Sequence, residues 1–329
     1  IQSPTCNMSL AESWMPDTNP RMLSRKISMT MAAEAPSPVS RIAGDLPIRM
    51  DTTRIVQTSS AMPCAVWAGR CVMREIVVIS GKGGTGKTSV CASLAHLSQN
   101  KVVCDLDVDA PDMHILLDPQ VHTREAFISG NEAVIDRDAC RRCGICFEHC
   151  RFEAVKKDGD VYGIDPLRCE GCGVCVALCP AKAIAFPEKE CGEWYLSDTR
   201  FGPFVHAQLY PGQENSGRLV TLLKQQAREL AKRQGLDLVI CDGSPGVGCP
   251  VISSLSGANL AVAVVEPTPS GRHDFERVAA LCDHFRIPVA VLINKADLNH
   301  EEVQAITRLA DDRGYTVVGA LPFDPAVTG

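Results

Sequence analysis

From Met73 onward, short unbroken apolar runs alternate with polar stretches of helical period. Residues 75–80 (EIVVIS) read as a strand, residues 88–99 as a helix, and residues 101–104 as a second strand, which together imply a parallel βαβ unit. The alternation resumes after residue 218. Leu222, Leu223, Ala227 and Leu230 mark a helix over 219–234 that Gly235 stops, and buried strands are expected at 236–241, 260–265, 289–293 and 316–320. Helices ending near 285 and spanning 301–313 separate the last three. This order predicts an α/β fold, a mostly parallel sheet with helices on both faces. Residues 186–217, rich in Gly, Pro and polar side chains, read as an irregular return segment.

Residues 1–72 show no sustained period and no clear start or stop signals, and read as a disordered or non-native extension. Position 1 is Ile, whereas Met73 stands immediately before the first convincing strand, so Met73 is the expected native start. No charged region followed by an apolar one marks a leader near the N-terminus.

The strand at 75–80 runs into Gly81-Lys82-Gly83-Gly84-Thr85-Gly86-Lys87-Thr88-Ser89. Glycines at this spacing let the backbone turn its N–H groups inward around phosphate, and the following helix adds its positive N-terminal dipole. Lys87 is expected to reach the β- and γ-phosphates, and Thr88 to bind Mg²⁺. Acids gather at two later strand ends. Asp105, Asp107, Asp109 and Asp112 follow the second strand, and Asp242 closes the strand at 236–241 ahead of a Gly243–Gly248 loop. That edge is where open α/β sheets bind ligands.

Lys82 gives the loop a further resemblance, to the deviant Walker A loop of the MinD/ParA/Mrp ATPases and the nitrogenase iron protein. The resemblance implies that Lys82 contacts nucleotide bound to a second copy, so that ATP is sandwiched in a homodimer. It implies that Asp107 orients the attacking water, that Asp105 supports Mg²⁺ or the water network, and that Asp242 holds Mg²⁺. Asn294-Lys295-Ala296-Asp297 also resembles the guanine-reading motif of GTPases, but an Asn at this place reads adenine in the ATPase family, and Lys82 sides with ATP. Cys249 lies near where the nitrogenase iron protein binds a bridging cluster, at a different offset. It is expected to be a small buried residue.

Between the first acidic stretch and Asp242 lies an internal duplication. Cys140, Cys143, Cys146 and Cys150 recur 29 residues later as Cys169, Cys172, Cys175 and Cys179. Residues 131–187 thereby resemble two-cluster bacterial ferredoxins, in which the fourth cysteine of each run serves the other cluster. On that rule Cys140, Cys143, Cys146 and Cys179 would hold one 4Fe-4S cluster, and Cys169, Cys172, Cys175 and Cys150 the second. Zinc is the competing metal for four-cysteine sites, but tight triplets with a distant fourth ligand favour iron and sulfur. Arg151 stands where the first run would have the proline that Pro180 supplies in the second.

Seventeen cysteines would suggest disulfides in a small secreted domain; eight of them at metal-type spacing in a 329-residue chain argue for a reducing cytoplasm. The net charge of −6 gives no electrostatic footprint for nucleic acid, and no apolar run reaches membrane-spanning length. The expected organisation is an extension at 1–72, a first ATPase part at 73–130, an inserted α+β ferredoxin-like domain at 131–187, and a second ATPase part at 188–329. Family members continue past this end, so a truncated C-terminus is also expected. The function implied is an ATPase whose nucleotide-dependent dimer switching is coupled to electron transfer toward a redox partner. The alternatives are an Mrp-type carrier that hands a cluster to an apo iron-sulfur target, or a MinD/ParA-type positioning ATPase.

Overall fold

A computed structural model describes residues 73–213 and 216–325. The expectations for residues 1–72 lie outside these residues, as does the very end of the chain. Strand β1 (Arg74–Ser80) leads into the glycine-rich loop and helix α1 (Lys87–Leu97). Then follow β2 (Lys101–Asp105), α2 (Met113–Leu117) and a twelve-residue strand β3 (Gln120–Asn131). Residues 132–187 carry only short elements: β4 (Val134–Ile135), α3 (Ile145–Glu148), β5 (Val155–Asp158), β6 (Val161–Ile164), α4 (Val174–Leu178) and β7 (Ile184–Ala185). The chain returns through β8 (Glu188–Thr199), β9 (Gly202–Leu209) and the long helix α5 (Ser216–Gln234). It finishes with β10 (Leu238–Pro245), α6 (Cys249–Leu255), β11 (Leu260–Val265), α7 (Pro269–Phe285), β12 (Val289–Asn294), α8 (His300–Asp312) and β13 (Thr316–Leu321).

Nine strands form one sheet in the order β13-β12-β11-β1-β10-β2-β9-β8-β3. Pairing is parallel from β13 to β9 and antiparallel in the last two steps. The central strands are apolar on both faces, as a parallel sheet covered by helices requires. Alternate residues of β1 show the division: Val77 and Ile79 pack with α5, α6, α7 and α8, while Ile76 and Val78 pack with α1 and α2.

Three readings of the pattern need correction. The stretch at 186–217 is not an irregular return; it contains the hairpin β8–β9, which extends the main sheet. Strand β10 does not stop at Asp242 but continues to Pro245, so half of the expected mobile loop is strand. Strand β3 had no counterpart in the pattern, because its side chains are mostly exposed and its pairing is to β8 alone among the described strands. The ends of β3 and β8 are themselves paired, Asn131 opposite Glu188. Residues 132–187 thus leave and rejoin the sheet at one point without interrupting it.

Candidate nucleotide site at the carboxyl edge

The loop after β1 sits where the strand order reverses: β1 lies between β10 and β11, and the chain continues on either side of it. Such a switch point opens a crevice at the carboxyl ends of the strands. Gly86, the residue that caps α1, has φ 87°, a left-handed turn that aims the first N–H groups of the helix back into the loop. A Cβ there would also collide with the Asn294 side chain.

Lys87, at the first position of α1, is buried, and its ammonium is 2.8 Å from Asp242 Oδ1 and 3.6 Å from Asp107 Oδ2. Burial alone would lower its pKa, but the Asp242, Asp107 and Asp105 carboxylates together hold it above the ordinary lysine value. The acids respond in kind. Burial pushes the Asp105 carboxyl well up and the Asp107 and Asp242 carboxyls up, with Lys87 only partly opposing. Three carboxylates crowd one cation, so the cluster carries surplus negative charge. Asp242 Oδ2 is buried without a hydrogen-bond partner, and the Thr88 side chain stands beside the same carboxylate. That orphaned oxygen, the neighbouring hydroxyl and the surplus charge fit a divalent cation. Asp105 is engaged differently: its two oxygens accept the N–H groups of Asp107 (3.0 Å) and Met113 (3.3 Å), which shapes the acidic loop. Asp109 and Asp112 are exposed.

Lys82 does not hang free in solvent. Its ammonium lies 3.1 Å from Glu266 Oε2 and 3.4 Å from the Ser270 hydroxyl. Glu266 also holds Lys295 at 3.2 Å, and Lys295 donates to the Gly84 carbonyl. These lysines keep the Glu266 carboxyl below its usual range although burial works against them. Asn294 donates to the Thr85 carbonyl (2.8 Å), so β12 braces the loop through two successive residues. Asp297 accepts the N–H of Phe323. Glu266 was not singled out from the sequence, and Lys295 appeared there only within the Asn294-Lys295-Ala296-Asp297 motif. The available signal was a charged residue directly after a buried apolar run, at the same edge as Asp242. Cys249 is exposed at the first position of α6, contrary to the buried environment expected of it, because the chain has left the sheet after Pro245. His273 is exposed as well.

Four cysteines of the inserted segment share a hollow, and three others lie near one another. Cys140, Cys143, Cys146 and Cys179, from opposite ends of the segment, line one hollow with Tyr162 and Ile184. Cys169 and Cys172 lie close enough to Cys175 that their charge, after burial, raises its thiol pKa. Backbone N–H groups of residues 152–155 surround Cys150 and outweigh burial, lowering its pKa. Further N–H groups point at sulfur: Arg142 at Cys140 (3.4 Å) and Ala183 at Cys179 (3.3 Å). Among the described residues no three His, Cys, Asp or Glu converge closely enough to hold a single ion. No helix among them is long and apolar enough to cross a membrane.

A buried lysine heading the helix after β1, with an acid on the adjacent parallel strand, defines a P-loop nucleotide-binding protein. The chain belongs to the CobQ/CobB/MinD/ParA nucleotide binding domain family, whose sequence model matches residues 76–328. It is 36% identical over 232 residues to the uncharacterized protein MJ0578 of Methanocaldococcus jannaschii, covering 70% of this chain and 80% of that one. A second protein of the same organism, the uncharacterized protein MJ0579, is 24% identical over 231 residues, covering 68% and 80%. Among solved structures, the septum site-determining protein MinD with Mg-ADP from Pyrococcus horikoshii OT3 matches with a TM-score of 0.44 and 14% identity, over 77% of this chain and 83% of that chain.

Proposed function

We propose that the chain is an ATP-binding, ATP-hydrolysing iron-sulfur protein in which nucleotide-dependent pairing of two copies governs electron transfer to a redox partner. The observation that carries the reading is the hollow lined by Cys140, Cys143, Cys146 and Cys179, three cysteines of one run and the last of the other. Four thiols around a hollow, two of them receiving backbone N–H groups, suit a 4Fe-4S cluster. Cys169, Cys172, Cys175 and Cys150 would hold a second. Bound there, the clusters supply one-electron chemistry, and the protein sets their surroundings. Residues 131–187 act as the cluster-bearing unit between ATPase parts at 73–130 and 188–329.

At the other site, the N–H groups from Gly81 through Ser89 cradle the phosphates and Lys87 neutralises the β- and γ-phosphoryl oxygens. Thr88 and Asp242 would hold Mg²⁺, with Asp105 fixing the loop that carries Asp107. Asp107 orients water for attack on the γ-phosphorus. The new oxygen–phosphorus bond forms as the bond from the γ-phosphorus to the β–γ bridging oxygen breaks, ADP leaves carrying that oxygen, and the water proton passes to the released phosphate. Lys82 reaches the nucleotide of a second copy, for which it must exchange Glu266 for phosphate. Asn294 serves adenine recognition indirectly, by fixing the loop at Thr85.

The exposed thiols of Cys143 and Cys172 favour a second reading, cluster delivery to an apo-acceptor. An anaerobic EPR titration, reduced stepwise with and without ATP and Mg²⁺, separates the two. Two 4Fe-4S signals that respond to ATP support electron transfer. Signals indifferent to ATP, with iron and sulfide leaving for an apo-acceptor, replace it with the carrier.

A further inference from the structure

The two cysteine sets are not placed alike. The hollow lined by Cys140 and its partners is otherwise walled by the inserted segment itself. Cys169 lines a different hollow, shared with Ser129 and Asn131 of β3 and with Lys189 and Cys191 of β8. Contact there is close. Gly171 has φ 60°, and a Cβ on it would run into the Asn131 carbonyl. Lys189 donates to the Pro166 carbonyl at 3.1 Å. The loop of the second set is therefore pinned to the edge of the ATPase sheet.

A second observation starts from the nucleotide edge. Arg218, in the first turn of α5, lines an open groove with Asp109 and Cys249. Asp109 belongs to the acidic loop that carries Asp107, and Cys249 opens the helix after the Asp242 strand. In nucleotide switches, loops beside the γ-phosphate order around it and relax on hydrolysis, and these two loops lie at the corresponding edge of this sheet. The Arg218 guanidinium donates to Ser129 Oγ at 3.1 Å, and Ser129 is 3% exposed. The Ser129 carbonyl in turn accepts the Cys191 thiol at 3.1 Å. One bonded step thus joins the nucleotide edge to the wall of the hollow that holds Cys169.

We propose that Arg218 is a positioning residue that passes the nucleotide state of the carboxyl edge, through Ser129, to the second cysteine set. The Cys169 side is then the nucleotide-responsive cluster, and the Cys140 side is the outer one that meets the redox partner. The proposal rests on the iron-sulfur reading above. The Arg218–Ser129 bond is the two-state element, made in one arrangement of the groove and broken in the other.

The test uses the full chain, reconstituted anaerobically. ATP with Mg²⁺ should shift one EPR signal, the one lost in Cys169→Ser and kept in Cys140→Ser. Arg218→Ala should abolish that shift, with iron content and ATP hydrolysis staying within about twofold of wild type. Arg218→Lys, which can still donate to Ser129, should restore part of it. Hydrogen exchange supplies a readout free of the clusters: ATP should change protection over residues 127–131 in wild type and not in Arg218→Ala. A shift that survives Arg218→Ala, or that falls on the signal lost in Cys140→Ser, overturns the proposal while leaving the clusters in place. Protein that takes up no iron and sulfide overturns the iron-sulfur reading and the proposal with it.

Discussion

At the carboxyl edge of the sheet, Lys87, Asp105 and Asp242 are buried and already face one another across strands fixed on both sides. In the inserted segment Cys143 and Cys172 are exposed, and the buried apolar residues are few and mostly small: Ala133, Ala154, Val155, Tyr162, Ala183 and Ile184. Phe147, Phe152, Leu167 and Leu178 stay in solvent. One region is organised by its own hydrophobic core, with charges set at the ends of buried strands. The other has too little core to stand alone, as small units held by metal usually do. The charged groups of the nucleotide site are therefore held in place by the sheet, whereas on the iron-sulfur reading proposed above the inserted segment would gain order from its clusters.

The sharpest break of the first half is Lys87→Ala. It should cut ATP hydrolysis by about a hundredfold or more, since one preorganised cation at a developing charge is worth that much. It also leaves Asp242 buried without the cation that stood at 2.8 Å, and should cost about 3–5 kcal/mol of stability in the nucleotide-free protein. ATPase rates and urea midpoints read the two effects separately.

If the proposed clusters are bound, the second half should break when iron is removed. Anaerobic chelation should strip hydrogen-exchange protection from residues 134–185 while the nine-stranded sheet keeps its own. Calorimetry should then show the main transition unmoved within a few degrees. A segment that stays protected without iron would erase the contrast between the two regions.

A third test moves to the opposite edge of the sheet. Glu75 on β1 is buried, held by Lys224 and Arg228 of α5 at 2.7 Å each, and Lys224 also donates to the carbonyls of Ser254 and Ser256 at the C-terminal end of α6. Lys224→Met leaves Glu75 with Arg228 alone and takes the lysine donor from the Ser254 carbonyl, while the Ser256 carbonyl keeps the Arg228 guanidinium at 3.0 Å. Chemical denaturation should register a loss of about 3 kcal/mol in the ATPase part. Glu75→Gln with Lys224→Met should recover part of that loss, because the uncompensated charge is gone.

How far the sequence told this in advance differs between the same two regions. Strands β1, β2, β10, β11 and β12 were legible because both of their faces are buried, which writes an unbroken apolar run into the chain. Strand β3 was not, because it lies at the edge of the sheet with most of its side chains exposed, and β8, though paired on both sides, mixes charged residues into its apolar positions and carries no unbroken apolar run. The glycine spacing gave away the loop at 81–88. The brace from Asn294, Lys295 and Glu266 did not show, since it joins residues about 180 to 210 positions apart and no local spacing encodes it. The cysteine repeat was legible in the sequence, but which set lies against the sheet depends on the path of β3 and β8.

The smallest effect concerns acid, and it falls on the sheet. His206 of β9 is buried, stacked between Phe204 and Tyr195, and bonded to Ser197 at 2.9 Å. Burial, with a smaller push from His114, lowers its pKa from 6.5 to about 4. The ring is neutral when folded and takes a proton once the chain unfolds. Its contribution is therefore complete above pH 6.5 and is lost as the pH falls toward about 4, at up to one proton per chain. Urea midpoints across that window should decline for wild type. His206→Gln, whose amide can still meet Ser197, should decline less steeply by close to one proton, with protection of the inserted segment unaffected. If the slopes are the same, the histidine is not the group that titrates; the carboxylates at the nucleotide edge cannot replace it, because their raised pKa values would make stability rise as the pH falls.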